Sequence, residues 1–431
     1  MTTPTESSNT QQMFLYLGSL TLLVSVARPD GILFAIPASY MLKNQLHATA
    51  TQVSTFWLLA SIPIYVALVF GLMRDLWNPL GRRDRGFFLL FAPMTAITFL
   101  WMTLLRLSYH GLLFSVLLVM LLFQFIVAGQ LGLISLLGQE KLMSGRLSAL
   151  WSVIGVVPVV AAAFASGYIT EHLPPRQTFL LMAILSLLIA CIALWKPRSV
   201  FAHAYEKPQA RGTDLPGDLR RLVKHRAIYP VVLILFLWFF VPGPGTPLQF
   251  YLTNQLHASD AVWSYFGGIL SASTIPAYLL YGYFCKKAPL NKLLCWGTII
   301  AVPGLIPLAF IHSTTLALLL ATMGLTWGFA HASYFDLAMR SCPPGLQGTL
   351  MMLIAGVAAL SGNGGNVLGS RIYSSSSTHG FLYCVIAGSL TTALILPSIL
   401  LVPKELIATA DGEQNPAVEA AMIAEIGEGW R

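Results

Sequence analysis

Charge is what this sequence has least of. Asp, Glu, Lys and Arg make up 10% of its 431 residues, against about 25% in a soluble domain. With 56% hydrophobic residues and a mean hydropathy of +0.72, the chain has too little polar surface to face water on all sides. Period-two alternation is missing from its apolar runs, which argues against barrel strands. The five cysteines, Cys191, Cys285, Cys295, Cys342 and Cys384, form no CxxC pair. They read as packing residues, with no disulfide framework and no metal site. No GxSxG elbow, phosphate loop or His/Asp/Glu metal spacing is found, so neither an enzyme nor a bound cofactor is expected. Residues 1–12 lack the basic segment of a cleavable signal, and the first apolar run is expected to act as an uncleaved insertion signal.

What the chain has instead is long apolar runs, each near the roughly 20 residues a membrane-crossing helix needs. In lipid, backbone polar groups must be satisfied within a helix or a closed barrel. The runs predict twelve transmembrane helices at 13–41, 52–73, 86–107, 111–137, 145–169, 177–195, 228–252, 261–285, 290–312, 314–339, 346–372 and 378–402. The polar stretch 196–227, with Pro197, Pro208 and Pro216, separates six helices from six. The expected organisation is an N-terminal bundle at 1–195, a cytoplasmic linker at 196–227, a C-terminal bundle at 228–402 and a cytoplasmic tail at 403–431.

Basic residues alternate in density from loop to loop. Arg74, Arg82, Arg83 and Arg85, then Lys141 and Arg146, eight basic residues in the central loop, and Lys286, Lys287 and Lys292 all fall on one side. The opposite side carries Lys43, Arg106, Arg176 and Arg371. The positive-inside rule makes the first side cytoplasmic, with both termini, in a multi-pass cell-membrane protein. The same loops account for the net charge of +8, so no nucleic acid partner is expected.

The two halves repeat. Leu42-Lys43-Asn44-Gln45-Leu46-His47-Ala48-Thr49 matches Leu252-Thr253-Asn254-Gln255-Leu256-His257-Ala258-Ser259. Downstream, Ile62-Pro63-Ile64-Tyr65 matches Ile275-Pro276-Ala277-Tyr278, and Gly145-Arg146-Leu147 falls against Gly348-Thr349-Leu350. The order is the same in both, which marks parallel repeats.

Gly71-Leu72-Met73-Arg74-Asp75, followed by Gly81-Arg82-Arg83, resembles the loop signature between helices 2 and 3 of major facilitator transporters. Its longer spacing is similar to the folate–biopterin transporter family of that superfamily. So are Tyr40-Met41-Leu42-Lys43, Pro289-Leu290-Asn291-Lys292-Leu293-Leu294 and Cys342-Pro343-Pro344-Gly345-Leu346-Gln347-Gly348-Thr349. The resemblance implies two pseudo-repeated six-helix bundles, and a gating role for Gly71, Asp75, Gly81, Arg82 and Arg83. Asp75 would dock near the N-terminus of helix 11, where a carboxylate is stabilised. Family members carry Lys-Pro where this chain has Ala67-Leu68, and often Glu where Gln347 stands.

Charges within spans are costly unless paired or hydrated, so they point to function. Arg28 and Asp30 fall in span 1 on either side of Pro29. On a regular helix two positions place side chains on different sides, so the two are not expected to neutralise each other. Arg28 is expected to hold an anionic solute group and Asp30 to carry a coupling proton; the bland alternative is pairing with other helices to hold the bundle. Gln124, His331 and Asn363 are further candidates for solute or proton binding, each equally readable as a hydrogen-bonded packing residue. Asp336 and Arg340 are spaced for an intrahelical ion pair. Gly362, Gly364 and Gly369 of span 11 suit close helix packing, and the run from Pro242 to Pro247 reads as a bend.

The expected function is secondary transport of a small, anionic organic solute by alternating access, proton-coupled, in a monomer embedded in the bilayer. The alternative is a non-transporting assembly or pigment-delivery factor on the same fold, which would not need polar residues in spans 1, 4, 10 and 11.

Overall fold

The computed structural model describes residues 4–105, 108–172, 174–197, 199–201, 215–243, 245–376 and 378–413. Most of the linker (202–214), the tail beyond Glu413, and Pro244 lie outside the described residues.

Among the described residues, twelve helical spans can be traced in two pseudo-repeated halves, and every regular element is helical. Eight helices are long and apolar enough to cross a membrane on their own account. The remaining spans depart from that standard for visible reasons. Span 1 is α1 (Pro4–Val26) and α2 (Ile32–Tyr40), broken around Pro29. Span 2 is α3 (Ala50–Ala60), α4 (Ile62–Tyr65) and α5 (Ala67–Leu76), interrupted next to Pro63, which lacks the N–H that helix continuation needs. Spans 3 to 6 are continuous: α6 (Asp84–Leu104), α7 (Tyr109–Glu140), α8 (Ser144–His172) and α9 (Pro175–Leu194).

In the second half a short linker helix, α10 (Leu215–Lys224), leads into span 7: α11 (Ile228–Phe239) and α12 (Thr246–Phe250). The break between them falls on the Pro242–Pro247 run. Span 8 is α13 (Asp260–Phe284), continuous but more polar. Span 9 is α14 (Leu290–Ala301) with a tight 3-10 continuation (Val302–Phe310), and span 10 is α15 (Thr314–Leu320) and α16 (Gly324–Arg340). Span 11 is α17 (Gln347–Ser374); span 12 is α18 (Gly380–Ala393) and α19 (Ile395–Ile399), followed by the turn α20 (Lys404–Ile407).

The repeated octapeptides fold alike. Met41–Gln45 and Tyr251–Gln255 are both single π-helical turns. The Ala48 amide then bonds to the Leu42 carbonyl, and the Ala258 amide to the Leu252 carbonyl, both at 2.9 Å. His47 (φ 50°) and His257 (φ 51°) adopt the left-handed conformation at the same point of each turn. Thr49 then caps α3 through a reciprocal box with Gln52.

Two compact units form, and they interleave the chain. The first contains residues 1–134, 157–218 and 345–353; the second contains 135–156, 219–344 and 354–431. The first unit packs Phe34, Phe56, Phe99 and Phe179 in its core. In the second, one cluster gathers around Leu248, Phe266, Leu305 and Phe381, and another around Tyr281, Cys285 and Leu293. Large apolar side chains also line the outside: Leu400 is 84% exposed and Phe310 69%, as suits a lipid-facing surface.

Candidate functional site

Three places concentrate polar chemistry. The first is the C-terminal end of α5, at the end of the molecule rich in basic loops. Asp75 accepts hydrogen bonds from the backbone N–H groups of Gly348 (3.2 Å) and Thr349 (2.7 Å) and from the Thr349 hydroxyl (2.7 Å). These N–H groups open α17 and have no partner within that helix, so the carboxylate caps it and meets the positive end of its dipole. Gly71 makes the approach possible: a Cβ there would sit 2.5 Å from the Gly348 carbonyl oxygen. Thus 345–353, although late in the chain, packs within the first unit.

Arg74 ties this cap down. Its guanidinium takes Asp84 through two bonds (2.6 and 2.8 Å) and Asp75 through one (2.7 Å), with all three side chains buried. One arginine between two carboxylates satisfies more acceptors than a lysine could. Arg85 turns the other way, donating to the carbonyls of Ala193 and Leu194 at the end of α9. Of the residues singled out for gating, Gly71 and Asp75 lie at the cap. Gly81, Arg82 and Arg83 form the turn beyond it, with Gly81 and Arg83 at positive φ and Arg82 exposed. Among the described contacts Arg82 and Arg83 pair with neither carboxylate. Arg74, Asp84 and Arg85 were missed as site residues; a carboxylate ten positions from an arginine gives no local signal.

The second place is the break in span 1. Here the expectation that Arg28 and Asp30 could not neutralise each other is corrected. They form a two-bonded ion pair, Nε–Oδ1 3.0 Å and Nη2–Oδ2 2.6 Å. The helical rule fails because residues 27–31 are not helical: α1 ends at Val26, and Gly31 starts α2 in extended conformation. The pair stays accessible, with side-chain exposures of 42% and 28%. Gln124 is buried in α7.

The third place is a cavity of about 370 Å³ within the second unit. Trp238, Phe239, Tyr278, Trp327 and His331 provide its ring surfaces, and Ser271, Thr274 and Asn366 its polar groups. The His331 ring nitrogen lies 3.4 Å from the Tyr278 hydroxyl, and its ring packs 5.0 Å from Phe335. The Trp327 indole N–H is buried without a hydrogen-bond partner. Of the residues singled out from the sequence, His331 lines this cavity. Asn363 does not; it is exposed, and the amide one turn on, Asn366, takes the place. Asn366 also accepts the Thr246 amide (3.2 Å), which anchors the start of α12 beyond the break in span 7. Asp336 and Arg340 form their intrahelical pair (2.9 Å), joined by the Tyr281 hydroxyl (2.7 Å). Among the described residues no group of His, Cys, Asp and Glu side chains is placed to hold a metal ion.

Comparison with known proteins sharpens this picture. The Major Facilitator Superfamily model matches residues 19–370. The chain is 24% identical over 406 residues to the folate-biopterin transporter of Synechocystis sp., covering 89% of this chain and 81% of that protein. It is 21% identical over 306 residues to folate transporter 1 of Plasmodium falciparum, covering 67% of this chain and 57% of that protein. Among solved structures it is similar to the transporter FucP in its outward conformation, with TM-score 0.68, 13% identity, and coverage of 90% and 98% of the two chains. A bacterial homologue of the iron transporter ferroportin in its outward-facing state gives TM-score 0.65, 16% identity and the same coverage. At these identities the structural likeness is one of fold.

Proposed function

This chain belongs to the Major Facilitator Superfamily, and from that premise we propose that it carries a planar heteroaromatic solute of the pteridine class across the membrane by alternating access, coupled to protons. The observation that carries the proposal is the cavity around His331. Tryptophan and tyrosine faces suit a flat conjugated ring, and a few fixed polar groups orient it. One of the two relatives is named for folate and biopterin and the other for folate, and both compounds contain such a ring.

The Arg28–Asp30 pair supplies a coupling device. An anion that reaches Arg28 competes with Asp30 for the guanidinium. The displaced carboxylate then loses the counter-ion and the two hydrogen bonds that favour its ionised form, so its proton affinity rises and it takes up a proton. Arg28 stays charged throughout. The basic end is the cytoplasmic end, and the Asp75 cap on α17 holds it closed in one state and lets go in the other. Gly71, Gly81, Arg82 and Arg83 shape that gate.

The test is ligand binding to detergent-purified protein. Biopterin and folate should raise the melting temperature, since a ligand that binds only the folded state stabilises it by mass action. They should also quench tryptophan fluorescence, and Trp327→Phe should reduce the quenching. Absence of both responses to every pteridine tried, with a clear response to a non-aromatic solute, would overturn the substrate class.

A further inference from the structure

The chain does not leave the bundle after span 12. Val402, Ile407, Ala410 and Asp411 are all buried, although they follow the last span. Their backbone is tied to three other spans. The Leu290 amide, at the start of α14, donates to the Thr409 carbonyl (3.3 Å), and the Asp411 amide donates to the Cys285 carbonyl (2.8 Å). Arg340, at the end of α16, donates to the same Thr409 carbonyl at 2.9 Å. Gly412 then turns the chain at φ +96°, and the Glu413 carboxylate accepts the Ala410 amide (2.9 Å).

The Asp411 side chain reaches a fourth span. It accepts the Gly145 amide at 2.9 Å and pairs with Arg146 at 2.5 Å, its own side chain 1% exposed. Gly145 lies in the first turn of α8, whose N–H groups lack partners within the helix. Gly145-Arg146-Leu147 is also the stretch that repeats as Gly348-Thr349-Leu350. At that second copy, Asp75 accepts the amides of Gly348 and Thr349. The two helices that correspond in the repeat are therefore capped in the same way, from different sources. Asp75 follows span 2. The corresponding stretch after span 8, Cys285-Lys286-Lys287, has no carboxylate. The tail brings one in.

We infer that residues 404–413 form a latch: Asp411 is the second capping carboxylate of the gate, and the strap must release α8 before the basic end can open. The inference rests on the alternating-access reading above. In that cycle the tail sets how readily the basic end opens.

The test uses the full chain in inside-out vesicles, with Cys191, Cys295, Cys342 and Cys384 changed to Ala so that Cys285, buried beneath the strap, is the sole target for a membrane-impermeant maleimide. A second reporter, Gln347→Cys in a chain also lacking Cys285, sits beside the Asp75 cap and is likewise buried. Asp411→Ala should speed labelling of both reporters by about tenfold, the equivalent of one charged hydrogen-bond set. Acceleration at Cys285 alone would make the strap a local cover and overturn the latch. No acceleration at either reporter, while Asp75→Ala does expose Gln347→Cys, overturns the latch and leaves the Asp75 gate standing. Acceleration of both by Asp411→Ala, with none from Asp75→Ala, keeps the latch and removes Asp75 from the gate. If Asp411→Ala does not fold, Arg146→Ala serves in its place, because the Arg146 side chain is part-exposed (22%) where that of Asp411 is buried; it should accelerate both reporters in the same direction, and failure to do so overturns the latch.

Discussion

Residues 41–49 and 251–259 fold alike, down to a left-handed histidine in each, yet the interiors of the two halves are unlike. The first half carries a charged pair, Arg28 and Asp30, at a break in its first span. The second half carries a cavity of rings, hydroxyls and an amide around His331. The turns persist because each must satisfy the same backbone donors and acceptors, and few local solutions exist. Interior side chains are freer: any set that packs and is hydrogen-bonded is acceptable, so they can diverge and take separate tasks. In this reading the second half recognises the solute and the first half handles charge.

The sharpest way to break that division is to remove the rings. Trp238→Ala with Trp327→Ala should weaken pteridine binding about 100-fold, at roughly 1–3 kcal/mol for each stacking ring, measured by fluorescence quenching or calorimetry. A double variant that binds normally would move recognition out of the second half.

The gate comes next. Asp75→Ala removes three hydrogen bonds from the start of α17 and leaves Arg74 with Asp84 alone. Transport should fall about thirtyfold, in line with the loss of a charged cap, while the amount of protein in the membrane stays the same. Gly71→Leu should do the same by steric means, since its Cβ would meet backbone that cannot move aside. Unaltered transport in both would reduce the loop to a topology signal.

The charged pair should give a smaller but more diagnostic effect. Asp30→Asn imitates the protonated acid, so exchange of solute should persist while accumulation driven by a pH gradient falls about tenfold. Arg28→Ala should instead reduce binding of anionic solutes and spare neutral ones. If the two variants behave identically, the pair is a structural tie and the division of labour fails.

The smallest effect concerns pH at the strap. Burial, with the nearby Asp336 carboxylate, pushes the Asp411 carboxyl above the usual carboxylate range despite Arg146. Arg146, Asp336, Arg340 and Cys285 are the titratable and charged groups that act on it. A carboxyl whose pKa is higher in the strapped state than when released binds its proton more tightly when strapped. Acidification therefore favours the strap, and rising pH weakens it. Hydrogen exchange at the Gly145 and Asp411 amides, corrected for the intrinsic effect of pH, should slow as pH falls from neutrality toward the ordinary carboxylate range, and Asp411→Asn should show no such slowing.

Much of this molecule is legible in its sequence because hydropathy and chain breakers act locally. The count of twelve spans, the parallel repeat and the membership of the fold follow from runs of apolar residues and from short stretches compared in order. The position of Asp75 could be marked from its spacing to Gly71. The partners of charged groups were decided by tertiary structure. Arg28 and Asp30 read as neighbours that a helix would hold apart, but whether the helix continues through Pro29 depends on packing around it, and it does not. Arg74 meets Asp84 ten residues later, Arg85 meets carbonyls of α9, and Asp411 meets Gly145 across 266 positions. Electrostatic and hydrogen-bond partners are fixed by distance in space, to which separation along the chain is a poor guide, whereas transfer of an apolar run into lipid depends on that run alone. Hence the sequence determines that this chain spans a membrane as two related halves, and the folded structure determines which charges meet, which rings enclose a cavity and what holds the ends of α8 and α17.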